Sequence, residues 1–279
     1  MAQTYIKGST EVASFSIDWE DLLGADTIAT SVWSCETGIT QDSESETNTV
    51  ATIVLSAGTA GTTYTCTNTI VTAAAATYVD ALYIVVPTAT MYNLFRDLRD
   101  SLGLTSASDD GLIFRMLEQA VKGVETHCGR KFIPVTATRY YEYDAIMPDG
   151  LTLQLDDDLV SVTTLTNGDS GATAIANTEY WLVDRNSGPP YWGIRLKTDS
   201  DYSWEVDTDY WISVAGSWGW ASTIPEDVQR AMIRWASYLY HQKDAPLYET
   251  TAFPEAGVIS VPKGIPVDVE LLLAPYVRR

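Results

Sequence analysis

Between Ser9 and about Val86 the chain, rich in Thr, Ser, Ala and Val, repeatedly alternates with a period of two. Ala13, Phe15, Ile17 and Trp19 fall on one side of a stretch whose other side is Ser14, Ser16 and Asp18, and Tyr64, Cys66 and Ile70 oppose Thr63, Thr65, Thr67 and Thr69. Successive side chains of an extended chain point to opposite faces, so this pattern predicts half-buried strands. An amphipathic helix, whose apolar positions recur every three or four residues, does not fit it. Further strands are expected at 26–34, 49–56 and 78–86, split by the turn signals Ala57-Gly58 and Ala60-Gly61. The set predicts a small antiparallel sandwich. Residues 1–87 hold ten acidic side chains against the single basic Lys7. Asp42, Glu44 and Glu46 read as a solvated, Ser-rich loop in preference to a calcium loop.

The texture changes at Val86-Pro87, where proline ends a strand. Tyr92, Leu94, Phe95, Leu98 and Leu102 then repeat at helical spacing up to Gly103. A second stripe, Leu112, Ile113, Met116, Leu117, Ala120, Val121 and Val124, predicts a longer helix closed by Gly129. Ser106 or Ser108 is the expected cap of that helix, with Asp109 and Asp110 favoured by its dipole. Strands are predicted at 135–144, 151–155, 159–166, 179–184, 191–197 and 209–216, with turns at Asp149-Gly150, Asn167-Gly168 and Asn186 to Pro190. Another helix starts near Pro225 and buries Val228, Ala231, Met232, Trp235 and Leu239. From Asp244 the chain is expected to be mostly extended, ending in a short apolar helix or turn at Val267 to Leu273. Together these signals give an α+β fold with segments 1–87, 88–246 and 247–279.

Composition bears on partners. The 17 basic and 37 acidic residues leave a formal charge of −20. Such a field repels a polyanion, which argues against a protein that grips nucleic acid through a basic face. No window approaches the roughly 20 apolar residues of a membrane helix, and the start, Met1 to Gly8, lacks a secretory leader's apolar stretch. A soluble protein made in a cytoplasm is expected, with no membrane partner.

Catalytic motifs are scarce. Gly168-Asp169-Ser170-Gly171 is similar to the nucleophile loop of trypsin-like proteases, but Asn167-Gly168 reads as a turn and His127 as a helix end. His127 and His241 are the only histidines, which leaves little for imidazole acid–base or metal chemistry. No phosphate-cradling glycine loop is present. Asp156-Asp157-Asp158, with Glu142 and Asp144 nearby, could supply a carboxylate pair or a cation site. A solvated or pore-facing acidic loop is the preferred reading. No cofactor, metal or enzymatic activity is expected. The nine Trp and sixteen Tyr suit glycan platforms and protein interfaces alike, with core packing the plainer account. Cys35, Cys66 and Cys128 lack metal or redox spacing and are expected to be reduced; a Cys35–Cys66 bridge across the sandwich is the alternative.

The segments after Pro87 carry a family resemblance. In order they are Leu94 to Leu102, Asp109-Asp110-Gly111-Leu112-Ile113, Val124 to Phe132, Gly216-Ser217-Trp218-Gly219, Ile224-Pro225-Glu226-Asp227-Val228, Tyr238 to His241, and Ile265 to Arg278. This set resembles the head-to-tail connector, or adaptor, proteins of tailed bacteriophages. The region before them looks like an immunoglobulin-like phage module, which the minimal connector fold lacks. The β-rich insert is also long for the family.

The resemblance implies a non-enzymatic virion protein at the head–tail neck, assembled in the host cytoplasm. It implies a homo-oligomeric ring, commonly a dodecamer, bound to the portal protein and to a stopper or tail-completion protein, with duplex DNA passing through unbound. Arg96, Arg99, Arg115, Lys122, Arg230 and Arg234 would meet acidic neighbours between subunits. Asp156, Asp157 and Asp158 would line the channel and repel phosphate. Leu271, Leu272, Leu273, Tyr276, Arg278 and Arg279 would dock on the portal, unless the tail packs on its own domain. Two other readings stay open: a glycan-binding or glycan-cleaving phage protein, and a tail or baseplate structural protein.

Overall fold

A computed structural model describes residues 3–205, 210–243, 250–253, 257–260 and 264–278. Its packing divides the chain into two units, residues 1–120 with 233–259, and residues 121–232 with 260–279. Among the described residues no helix is long and apolar enough to cross a membrane.

The first unit begins with β1 (Gln3–Ile6), β2 (Ala13–Asp18), a single-turn α1 (Glu20–Leu23), β3 (Ile28–Cys35), β4 (Ile39–Glu46), β5 (Val50–Ala57), β6 (Thr62–Thr72) and β7 (Thr77–Val86). These form a four-stranded sheet, β1-β7-β6-β3, and a three-stranded sheet, β2-β5-β4. The alternation puts Phe15, Ile17, Ile53 and Leu55 of one sheet in a single core with Tyr64, Cys66, Ile70, Leu82 and Ile84 of the other. Within that core Trp19 Nε1 donates to Asn68 Oδ1 at 3.2 Å, and Asn68 Nδ2 to Ser31 Oγ at 2.8 Å, so the buried amide is satisfied.

Two expectations change here. The acidic stretch of Asp42, Glu44 and Glu46 is strand β4, not a loop, and it pairs with β5 across a register shift between Gln41 and Ser43. It reads as a loop because only Ile39 of the strand is buried. Its charges suit an edge strand, where they discourage further pairing, and Glu44 Oε2 accepts from the Trp33 N–H at 3.2 Å. The second change is a Cys35–Cys66 disulfide in place of reduced thiols. It joins register partners on adjacent strands of one sheet and does not cross between sheets.

Lys7 is the sandwich's only cation and is fully buried. Its Nζ donates to Gly8 O at 2.9 Å and Ala57 O at 2.7 Å, tying the end of β1 to the end of β5. Burial lowers its pKa against the opposing pull of Glu11 and Asp42. Helix α2 (Ala89–Leu102) buries Leu94, Phe95 and Leu98 and stops at left-handed Gly103. Tyr92 Oη donates to Glu11 at 2.7 Å. Burial, with that carboxylate, pushes the phenol up to about 12. Helix α3 (Asp110–Cys128) starts directly after Asp109, whose carbonyl accepts from Leu112 and Ile113. Neither serine caps it: Ser106 Oγ instead bonds Ser108 Oγ and the Ser108 N–H, both at 3.2 Å. Gly111 is required there, since a Cβ would sit 2.7 Å from Thr4 Cβ.

In the second unit β8 (Val135–Tyr141), β9 (Thr152–Leu165), β10 (Tyr180–Val183), β11 (Tyr191–Leu196) and β12 (Ile212–Trp218) make one antiparallel sheet in the order β10-β11-β9-β12-β8. Leu153, Leu155, Leu159, Ile194, Ile212, Val214 and Trp218 form its core. The strands expected at 151–155 and 159–166 are one strand, running through the acidic run. Helix α4 (Glu226–Gln242) buries Val228, Ala231, Met232, Ala236 and Tyr240; Trp235 and Leu239 are half-buried, so its stripe turns slightly from the expected face. The chain continues as β13 (Thr250–Phe253) paired with β14 (Gly257–Ser260), then α5 (Val267–Leu273) and a 3-10 turn, Ala274–Tyr276.

Candidate functional site

The acidic run lies on β9 where its pairing with β11 shifts register, just before a further shift against β12. Asp158 is buried, and Arg130 Nη1 lies 2.7 Å from both of its carboxylate oxygens. Arg278 Nη2 adds a longer contact at 3.6 Å. Arg139 donates to Asp156 at 3.1 Å and Asp157 at 2.8 Å while its guanidinium stacks 4.1 Å over Trp218. Tyr141 Oη donates to Asp156 Oδ1 at 2.7 Å. Burial raises the Asp156 pKa, but Tyr141 and Arg139 outweigh it and hold the carboxyl below its usual range. Burial and the same carboxylate drive the Tyr141 phenol strongly upward. The run is therefore an ion-paired strand segment and not a solvated loop. Asp156 alone keeps a largely exposed side chain, at 70%, against 19% for Asp157 and 4% for Asp158.

Beside this network is a cleft of about 310 Å³ with Lys122, Glu125, Lys131, Asp156, Asp157 and Arg278 among its walls. Glu125 holds Lys131 Nζ at 2.8 Å and the Phe132 N–H at 3.2 Å. Arg130 stacks 4.7 Å over Trp220, and its buried Nε has no hydrogen-bond partner. Trp220, Tyr276 and Phe132 form an aromatic group, with Tyr276 5.4 Å from Trp220 and 5.9 Å from Phe132.

The residues expected to dock on the portal divide accordingly. Leu273 is buried, Tyr276 belongs to the aromatic group, and Arg278 is tied down three ways. Its N–H donates to Cys128 O, its Nη1 to Asp156 O at 2.9 Å, and its Nη2 faces Asp158. This end of the tail packs on its own unit. Leu272 is half-buried, while Leu271 and Val267 are 71% and 69% exposed, one helical turn apart. Arg279 lies outside the described residues, as do the side chains of 244–263.

The expected inter-subunit cations are likewise unequal. Arg99 is engaged internally, 3.3 Å from Asp110 and 3.4 Å from Ser106 O. Arg96, Arg115, Lys122, Arg230 and Arg234 are exposed; Arg115 Nε reaches back to Gly111 O at 3.2 Å. At the start of α3, Asp109 accepts from Tyr240 Oη and from Lys243 Nζ. These bonds hold its pKa down, whereas burial raises that of Asp110, whose Oδ1 has no hydrogen-bond partner. Among the described residues no three His, Cys, Asp or Glu side chains are grouped to hold a metal ion. In Gly168-Asp169-Ser170-Gly171 the Asp169 carboxylate accepts from Thr173 N and Oγ1, which makes the motif a turn.

Sequence reasoning missed Arg130 and Arg139 as the partners of the acidic run. The signal was available for Arg139, since alternation in β8 turns it to the same side as Tyr141. It was absent for Arg130, which reaches Asp158 from beyond the end of α3.

Comparison with known proteins adds the following. Residues 7–85, less than half of the chain, match the family model described as podophage GP4 fiber-tail adaptor protein gp77. Among solved structures, a chain from the virion of a native gene transfer agent (GTA) particle aligns with a TM-score of 0.44 and 16% identity, covering 66% of this chain and 88% of that one. No curated protein sequence matches.

Proposed function

We propose that this chain is a structural, non-enzymatic adaptor of a bacteriophage virion, with an immunoglobulin-like module at 1–87, a connector region at 88–246 and a docking segment at 247–279. The observation that carries the reading is the match of the sandwich to a fiber-tail adaptor family. The connector-like segments identified in the sequence extend it. In this reading copies form a ring on the portal, commonly of twelve, with a stopper or tail-completion protein below and the duplex passing through the lumen.

The geometry narrows the surfaces available for those roles. Portal docking falls to the exposed side of α5, Val267 and Leu271, because Leu273, Tyr276 and Arg278 are engaged within their own unit. A channel-facing charge falls to Asp156, because Asp158 is buried against Arg130. Arg96, Arg115, Lys122 and Arg230 are the exposed cations for subunit contacts. The family description also favours a second placement, in which the sandwich meets a fibre where it joins the tail.

Electron microscopy of particles with this protein gold-labelled, and of particles from a gene disruption, tests both. Label at the neck with DNA-filled, tailless heads in the disruption supports the connector placement. Label at fibre bases, with tailed but fibreless particles, supports the second. Label absent from particles overturns both.

A further inference from the structure

We propose that the outer face of β3, β6 and β7 is a contact surface for a second copy of this chain. The register aligns Val32, Thr69 and Val79 in one row across the three strands, with Tyr83 four residues further along β7 on the same face. Val32 is 59% exposed, Val79 62% and Tyr83 40%. Every outward position of these strands is Thr, Ser, Val, Ala or Tyr. Glu36, just after β3, has its Oε2 accepting from the Thr65 N–H at 3.0 Å.

The charge distribution selects the occupant. Each copy carries −20, and the sandwich's only cation, Lys7, is buried. Two like-charged sandwiches repel through any face that presents carboxylates, including the acidic edge strand β4. The neutral face is where copies approach with the least repulsion and without desolvating a charge. A basic partner would gain nothing there, and would be drawn to β4. Three strands about 4.8 Å apart and about eight residues long, at about 3.3 Å each, present about 400 Å² per copy. Two such faces bury about 800 Å², below the usual size of a stable dimer interface. The contact is therefore weak between free chains and becomes effective when copies are held close together. The inference does not require the virion reading.

The test is sedimentation velocity of the full chain over a concentration series at low and high salt, beside Val32→Asp/Val79→Asp and, separately, Thr69→Arg. The expected result is a reversible dimer that strengthens as salt screens the like charges. Each variant should weaken it at least tenfold while the circular dichroism and unfolding midpoint stay unchanged. Thr69→Arg serves if the double variant unfolds. A chain monomeric at every concentration and salt, association indifferent to both variants, or association that weakens with salt overturns the proposal. The last outcome would instead support the arginine-to-carboxylate contacts of the ring reading.

Discussion

Replacing Arg130 by Met removes the cation from the most deeply buried ion pair on β9 while keeping a side chain of similar reach over Trp220. Asp158 has 4% side-chain exposure and Arg130 18%, so solvent screens neither well. Leaving one member of a buried pair uncompensated costs about 3–5 kcal/mol. Arg278, 3.6 Å from the same carboxylate, offsets part of this, so about 3 kcal/mol is expected. For a chain of this size that corresponds to a fall of about 6–12 °C in the midpoint of the affected calorimetric transition. Arg130→Met/Asp158→Leu removes both charges and should recover most of the loss; the stacking of Arg130 on Trp220, worth about 0.5–1 kcal/mol, stays lost. Arg195→Met, which breaks a pair whose members are 43% and 34% exposed, is the control and should cost less than about 1 kcal/mol. Calorimetry and denaturant unfolding of the four proteins decide the matter. A cost below about 1 kcal/mol for Arg130→Met, or a double variant as damaged as the single, would refute the claim that the acidic run is neutralised by burial against arginine.

Other outcomes are expected. Alkylating the native protein without reductant should leave all three cysteines unmodified: Cys35 and Cys66 are bridged, and burial pushes the Cys128 thiol up to about 11. Denaturing without reductant should expose one thiol, and the Cys35→Ser/Cys66→Ser pair should lose up to about 4 kcal/mol for a 31-residue separation, read from denaturant curves. Gly216→Ala would put a Cβ 2.1 Å from Ser161 O, so thermal melts should show several degrees of destabilisation. Because burial depresses the Lys7 pKa, the unfolded chain binds more protons between the folded and unfolded values. This residue's contribution to stability should therefore rise with pH in that alkaline window, and a Lys7→Met protein should lose the rise. Tyr240→Phe removes the leading bond that holds the Asp109 carboxyl down. Stability that Asp109 supplies above the ordinary carboxylate range should then fade at a higher pH on acidification, by less than about 1 kcal/mol, as read from the acid-unfolding midpoint.

Strands β2 and β6 were legible because burying one face of a sheet requires period two, and β3, β5 and β7 because their β-branched and aromatic runs are bounded by turn signals. Helices α2 and α3 were legible from their stripes and from the glycines that end them. The acidic strand β4 was not, because an edge strand exposed on both faces carries no burial pattern. Asp156, Asp157 and Asp158 look like a solvated loop in the sequence for a related reason. What neutralises them comes from Arg130, Arg139 and Arg278, which are close only after the sheet and the C-terminal segment have packed. The tail shows the same division. Its apolar spacing announced a short helix, but which of Leu271, Leu272 and Leu273 is free to meet a partner depended on the surface beneath it. Local periodicity is a property of neighbouring residues and survives in one dimension. Charge compensation and exposure belong to groups far apart in the chain, and only the folded structure brings those together.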